Sequence, residues 1–275
     1  MELRSFRGWR YARRDVSDVI AAPYDVLDAA DKDRLLARDE HNIVAVDLPH
    51  MPPRSAGPEE AYAAAAGRLA AWPRDGVLCR DVRPALYAYQ QQYVHAGRRH
   101  ERTALLAGVR ATALGEDVIP HEHTFAGPQA DRLKLTEHTR MQLSPVFGFH
   151  EDPAGRVGEL LARVASGQAD AEGELDGVRQ RLWVIDDEAV VGEVAAAMAD
   201  VPVYIADGHH RYTTALNYAE ARRREGAGAD HEANFVLFAL VAHQAPGLLV
   251  LPTHRMVSGL AGGFDLREMM DRAKA

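Results

Sequence analysis

The chain has 275 residues, 47% hydrophobic and 26% charged, with a formal net charge of −8, values that argue against a disordered chain and a disulfide-stapled module. The acidic balance also speaks against a broad nucleic-acid surface, because such surfaces neutralise phosphates with excess Lys and Arg. One cysteine, Cys79, leaves no intramolecular disulfide, residues 1–14 lack an apolar signal core, and no apolar run reaches membrane-spanning length, so a cytoplasmic protein without a membrane segment is expected.

Residues 3–13 mix apolar side chains with arginines, and residues 18–26, D-V-I-A-A-P-Y-D-V, predict a short strand interrupted at Pro23 with Pro-Tyr-Asp as a turn. Asp28 is placed to cap a helix with Leu35 and Leu36 on its inner face, and residues 42–48 return as a strand. The first unit therefore reads strand, helix, strand. Residues 49–58 are proline-rich and suit an exposed connection, and residues 59–72 form an alanine-rich helix. Residues 86–94 and 102–110 pair as a β-hairpin about Gly97, with Arg98, Arg99 and Arg102 at a basic tip. A solvated hairpin end is the simpler account of that tip.

Residues 119–124, I-P-H-E-H-T, lead through Gly127-Pro128 into Asp131-Arg132-Leu133-Lys134, a loop entering a helix with Asp131 as N-cap. Glu122 is a candidate general base, and His121 and His123 are candidate ligands for a metal or a phosphate, although the spacing is not H-E-x-x-H. A histidine-bearing turn held by hydrogen bonds accounts for the segment equally well. Arg132 or Lys134 could close on a nucleotide phosphate. Residues 144–149 predict a strand, residues 151–187 a helix followed by a short strand at 182–185, and residues 188–199 a helix. Ser144 lacks a G-x-S-x-G context, and Cys79 reads as a packing residue.

The run V-Y-I-A-D-G-H-H-R-Y at residues 203–212 then takes an apolar strand through a tight turn at Gly208 into a helix over residues 212–225. Unpaired N–H groups and the macrodipole at that helix start favour an anion, Arg211 suits phosphate oxygens, and Asp207 could hold a metal or accept a proton. A solvated turn with Asp207 as cap and Arg211 in a surface ion pair is the competing account. Strands are expected at residues 234–242 and 248–251, followed by Thr253-His254-Arg255 as a third wall of the site. A final helix begins at residues 264–275, with Leu266, Met269 and Met270 on one face.

The segments A-A-P-Y-D-V (21–26), H-N-I-V (41–44), P-H-E-H-T (120–124), G-P-Q-A-D-R-L-K-L (127–135), L-S-P-V-F-G (143–148), A-D-G-H-H-R-Y (206–212) and L-P-T-H-R (251–255) span nearly the whole chain. Together they resemble domain-of-unknown-function family 1015. The D-G-x-H-R turn is similar, more remotely, to the signature of the ParB and sulfiredoxin superfamily, which includes free serine kinases. The resemblance implies an α/β (α+β) fold with mixed sheets, flanking helices and a strand-turn-helix nucleotide site.

It further implies that Gly208, His209, His210 and Arg211 hold nucleotide phosphates, with Asp207 close to the transferred group or to Mg²⁺. Sulfiredoxin chemistry needs a cysteine where His209 stands, and no basic helix-turn-helix of the ParB kind is evident. The kinase branch is left, with Mg²⁺ and ATP or ADP as cofactors and Asp207, Glu122 and Asp25 as catalytic carboxylates. His121, His123, His254 and Arg255 would bind a small hydroxyl-bearing acceptor such as free L-serine. A nucleotide-binding regulatory or scaffold protein without turnover is the alternative, and a metal-dependent hydrolase the third. Two regions are expected: residues 1–150 with the hairpin and His-rich loop, and residues 151–275 with the D-G-H-H-R turn. Members of the family usually continue beyond the last residue here, so missing C-terminal elements would leave an apolar face exposed, remove part of the substrate pocket, or be replaced by a second copy or a partner chain that covers the C-terminal end.

Overall fold

Alternation with period two builds the strands at the centre of the molecule: Val146, Gly148 and His150 are buried while Phe147 and Phe149 turn to the other face. The computed structural model describes residues 1–53, 55–122, 126–251, 258–259 and 264–273. In chain order its regular elements are β1 (Leu3–Arg4), β2 (Trp9–Tyr11), α1 (Ala29–Arg38), α2 (Val44–Asp47), α3 (Glu59–Ala71), β3 (Leu78–Arg80), β4 (Leu86–His95), β5 (Arg98–Arg110), β6 (Val118–Ile119) and α4 (Ala126–Thr139). They continue with β7 (Val146–His150), α5 (Arg156–Ala165), β8 (Ala171–Leu175), β9 (Val178–Ile185), α6 (Glu188–Met198), β10 (Val203–Asp207), α7 (His209–Arg224), β11 (Phe235–Ala242) and α8 (Leu266–Ala273).

The fold is mixed α/β. A nine-stranded sheet runs in the order β6-β10-β7-β11-β5-β4-β9-β8, with β1 also paired to β5, and β2 and β3 form a separate ribbon. The β6–β10 and β7–β11 pairs are parallel, whereas the β4–β5 hairpin and its neighbours are antiparallel. Strands from residues 1–150 and 151–275 therefore interleave within one sheet. The main core sets Leu86, Leu105, Val236 and Phe238 of the sheet against Leu160 and Leu161 of α5, Val194 and Met198 of α6, and Tyr212 of α7. The stripe Val157, Leu160, Leu161 has the three-and-four spacing of a helix laid on a sheet. A second cluster joins Tyr62 and Leu69 of α3 to Val46 of α2 and Leu135 of α4.

Four expectations are corrected. Residues 42–48 contain helix α2 in place of a strand, because buried Asn42 donates to the Asp18 and Ile20 carbonyls and accepts from Val44 N–H, starting a turn. Residues 18–26 hold only a 3₁₀ turn at Tyr24–Val26 behind Pro23. Helix α4 starts five residues before Asp131, which is mid-helix and fully buried, so it is no N-cap. Residues 248–251 form no strand, and Val250 and Leu251 are exposed. The hairpin turns at Ala96 and Gly97, both with positive φ, which leaves Arg102 four residues inside β5, donating to Gln91. Strand β8, absent from the sequence reading, pairs with β9.

Candidate functional site

Strand β10 delivers Asp207 to Gly208, whose φ of 95° lies in the left-handed region, and α7 starts at the next residue. Gly208, the N-cap residue, makes no side-chain cap, and the positive dipole end of the helix favours an anionic group beside it. A Cβ at Gly208 would stand 3.1 Å from Cζ and Nε of Arg211. The positive φ thus favours glycine, and a Cβ here would also press on the guanidinium beneath it.

The Arg211 side chain is 9% exposed. Its Nη1 donates to the Pro145 carbonyl and its Nη2 to Asp207 Oδ2, while Asp25 Oδ2 lies 4.0 Å from Nη2. One buried cation therefore sits between two half-exposed carboxylates.

The His121 loop meets this turn. His121 Nδ1 is 2.8 Å from the Ile205 carbonyl, which can only accept, so that nitrogen carries a proton, and in the neutral tautomer Nε2 holds the lone pair. The His121 backbone N–H donates to His209 Nε2 at 3.2 Å, which assigns the proton of neutral His209 to Nδ1. That atom faces Glu122 Oε2 at 3.8 Å, and the two imidazoles meet edge to face with centroids 4.5 Å apart. Burial lowers the His209 pKa and the neighbouring His121 adds to it, against the pull of Glu122 and Asp207. Neutral His209 is accordingly the resting form near pH 7.

A buried ionic network abuts Arg211. Arg132 Nε donates to Asp131 Oδ2 at 2.8 Å, Nη1 donates to the Asp47 carbonyl at 2.7 Å and to its Oδ1 at 3.2 Å, and the guanidinium lies 3.9 Å over the Tyr24 ring. Asp131 Oδ1 accepts from the Tyr62 hydroxyl at 2.7 Å and stands 2.6 Å from His50 Nε2. Ser144 Oγ donates to Asp47 Oδ2 at 2.6 Å. Burial pushes the Asp131 carboxyl up, but Arg132, Tyr62 and His50 outweigh it and hold the pKa below the usual value. Burial and the Asp131 carboxylate push the Tyr62 hydroxyl up to about 12. Tyr24, Asp47, Arg132, Ser144, Arg211 and Thr214 all line one cleft of about 980 Å³.

Asp25, His121, Glu122, Asp207, Gly208, His209 and Arg211 are thus brought together, with His210 the second residue of α7. Arg132 lines the cleft together with Arg211, the one member of that group on its lining, and is occupied by Asp131, Asp47 and Tyr24. Lys134 is turned to α3, where it donates to Glu59 at 2.6 Å, because positions two apart on a helix do not share a face. His123, His254 and Arg255 lie outside the described residues. The sequence reading missed Asp47, His50 and the Pro145 carbonyl. A carboxylate inside the apolar run A-V-D-L-P was the available signal for Asp47, since a buried charge implies a partner.

A profile of the family described as Protein of unknown function (DUF1015) matches residues 3–275. Searches of curated proteins and of solved structures return no match.

Proposed function

The chain belongs to the family of proteins of unknown function DUF1015, and from that premise we propose a nucleotide-dependent phosphotransferase acting on a small hydroxyl-bearing metabolite, with free L-serine among the candidates. The observation that supports this reading is the convergence of the His121–Glu122 loop and the Asp207–Arg211 turn on one helix start. Phosphoryl transfer asks a protein mainly for positioning and charge stabilisation. In this reading the terminal phosphates of ATP or ADP take the first-turn N–H groups of α7, with the Arg211 cation behind them. A guanidinium has five N–H donors, and the bonds to Pro145 and Asp207 engage two of them.

Mg²⁺ wants oxygen ligands, which the exposed carboxylate of Asp207 offers, and it would neutralise developing phosphate charge there. Asp25 or Glu122 orients the acceptor hydroxyl and takes its proton as the hydroxyl oxygen bonds to phosphorus and the nucleoside di- or monophosphate leaves.

The test incubates the protein with Mg²⁺, ATP or ADP and a panel of hydroxyl compounds that includes L-serine, and follows new phosphomonoesters by ³¹P NMR. Gly208→Ala introduces strain of about 1–3 kcal/mol at a positive φ and pushes on Arg211, so nucleotide affinity by calorimetry should fall about tenfold or more. Undiminished affinity in that variant would remove the central claim. Nucleotide binding without any phosphorylated product favours the regulatory alternative.

A further inference from the structure

We propose that His121, Glu122 and His209 form a binding site for a divalent transition-metal ion of the zinc type, a property that does not rest on the phosphotransfer reading. One nitrogen from each imidazole and one carboxylate oxygen lie within 4.8 Å of one another. Glu122 Oε2 is 3.8 Å from His209 Nδ1, and Glu122 Oε1 is 3.9 Å from His121 Nε2. Ligand atoms about 2.0–2.1 Å from a tetrahedral zinc stand roughly 3.4 Å apart, so the three groups would draw together by about half an ångström to about 1.4 Å on loading.

The orientation of His121 supplies an independent argument. Its Nδ1–H is fixed on the Ile205 carbonyl of β10, which directs the unprotonated Nε2 toward Glu122. Metal-binding histidines are commonly held in this way, by a backbone carbonyl on the far ring nitrogen that sets tautomer and ring angle. His209 is buried at the first position of α7 and gives the site a rigid floor. Two imidazoles and one carboxylate suit zinc and its neighbours in the first transition row, whereas Mg²⁺ and Ca²⁺ prefer oxygen alone. His121 and Glu122 are more than half exposed, so the three ligands found among the described residues leave a coordination position for water or a substrate oxygen, as in a catalytic centre.

Loading the site has a structural consequence at His209. Coordination through Nδ1 moves the proton of the neutral ring to Nε2, where it faces the His121 N–H and ends the 3.2 Å hydrogen bond. The loss of one neutral hydrogen bond is small beside a metal–imidazole bond. Glu122 then becomes a ligand, and Asp25 is the carboxylate left to orient an acceptor hydroxyl.

The test strips the whole chain of metal with a chelator and titrates Zn²⁺, with Mg²⁺ as control, by competition calorimetry. One equivalent of Zn²⁺ should bind, unaffected by millimolar Mg²⁺, and His121→Gln and Glu122→Gln, both at exposed positions, should each weaken it at least a hundredfold. The His121 amide resonance should shift on loading. Absence of stoichiometric Zn²⁺, or equal affinity in the wild type and both variants, overturns the proposal. Neither readout uses nucleotide or turnover, so failure of the phosphotransfer reading leaves this result standing.

Discussion

His150 ends β7 with its ring almost fully buried. Burial draws its pKa below the ordinary 6.5; the Glu151 carbonyl at 3.1 Å and Asp152 oppose this, and His243 reinforces it. Above pH 6.5 the ring is neutral whether the chain is folded or not, and it adds no pH dependence. Below that value the unfolded chain binds the proton first, so stability falls as pH drops from 6.5 toward the folded-state pKa and levels off beneath it. Urea midpoints measured at pH 7.5 and 5.5 should show this loss. In His150→Asn, which can keep a polar contact to the Glu151 carbonyl, the drop should shrink, other histidines accounting for what is left. An unchanged drop would mean that His150 is not the titrating group. Such a residue is hard to read from sequence, where F-G-F-H-E looks like a strand end entering solvent. Gly208 was readable because an apolar strand, a glycine and a helical pattern stand in direct succession and leave the backbone few choices. Arg132 was not, because its partners Asp47 and Tyr24 are 85 and 108 positions earlier in the chain, and a guanidinium in sequence looks the same whether it waits for phosphate or is already paired.

Helix α4 is held to its surroundings by charge as well as by packing. It brings Leu135 into the α3 cluster, and Asp131 and Arg132 at adjacent positions bind Tyr62 and His50 on one side and Asp47 on the other. Removing one member of a buried ionic group leaves its counter-charge uncompensated, a loss of about 3–5 kcal/mol in comparable cases. Asp131→Asn should fall in that range by urea denaturation, whereas Tyr62→Phe, which removes a neutral donor, should lose about 1–3 kcal/mol. Equal effects would show that the carboxylate charge is not what joins α4 to α3. Elements with strong local signals matched the sequence reading. Asp28 caps α1 in a capping box with Asp31, and the alanine-rich α3 and the β4–β5 hairpin stand where expected. Elements set by distant partners did not: α2 has an apolar run that suits a strand, yet Asn42 anchors its start to residues more than twenty positions away. The early start of α4 was obscured by Gly127 and Pro128, which read as loop formers although proline fits the first turn of a helix.

At the scale of the whole molecule, the strand order decides how the chain must unfold. Strand β7, from residues 1–150, lies between β10 and β11, both from residues 151–275, and β6 has β10 as its sheet neighbour. A fragment ending at residue 150 would leave β7 without either neighbour and expose Val146, buried in the intact chain against residues of the later region. The fragment 151–275 would in turn lack the β5 strand that pairs with β11 and the β4 strand that pairs with β9. Each region is therefore short of the hydrogen-bond partners that its strands need, and unpaired edges of apolar strands favour aggregation over folding. Unfolding should be one cooperative step. Trp72, packed among the helices of the earlier region, and Trp183, on β9 of the later one, give separate reporters. Variants with a single tryptophan at either position should show urea midpoints that coincide with each other and with the loss of helical circular dichroism. Two separated transitions, or a soluble and folded 1–150 fragment, would show that the interleaved sheet does not couple the two regions. Because the candidate site draws Asp25, His121 and Glu122 from the first region and Asp207 to Arg211 from the second, the same coupling would make the integrity of the site depend on folding of the entire sheet.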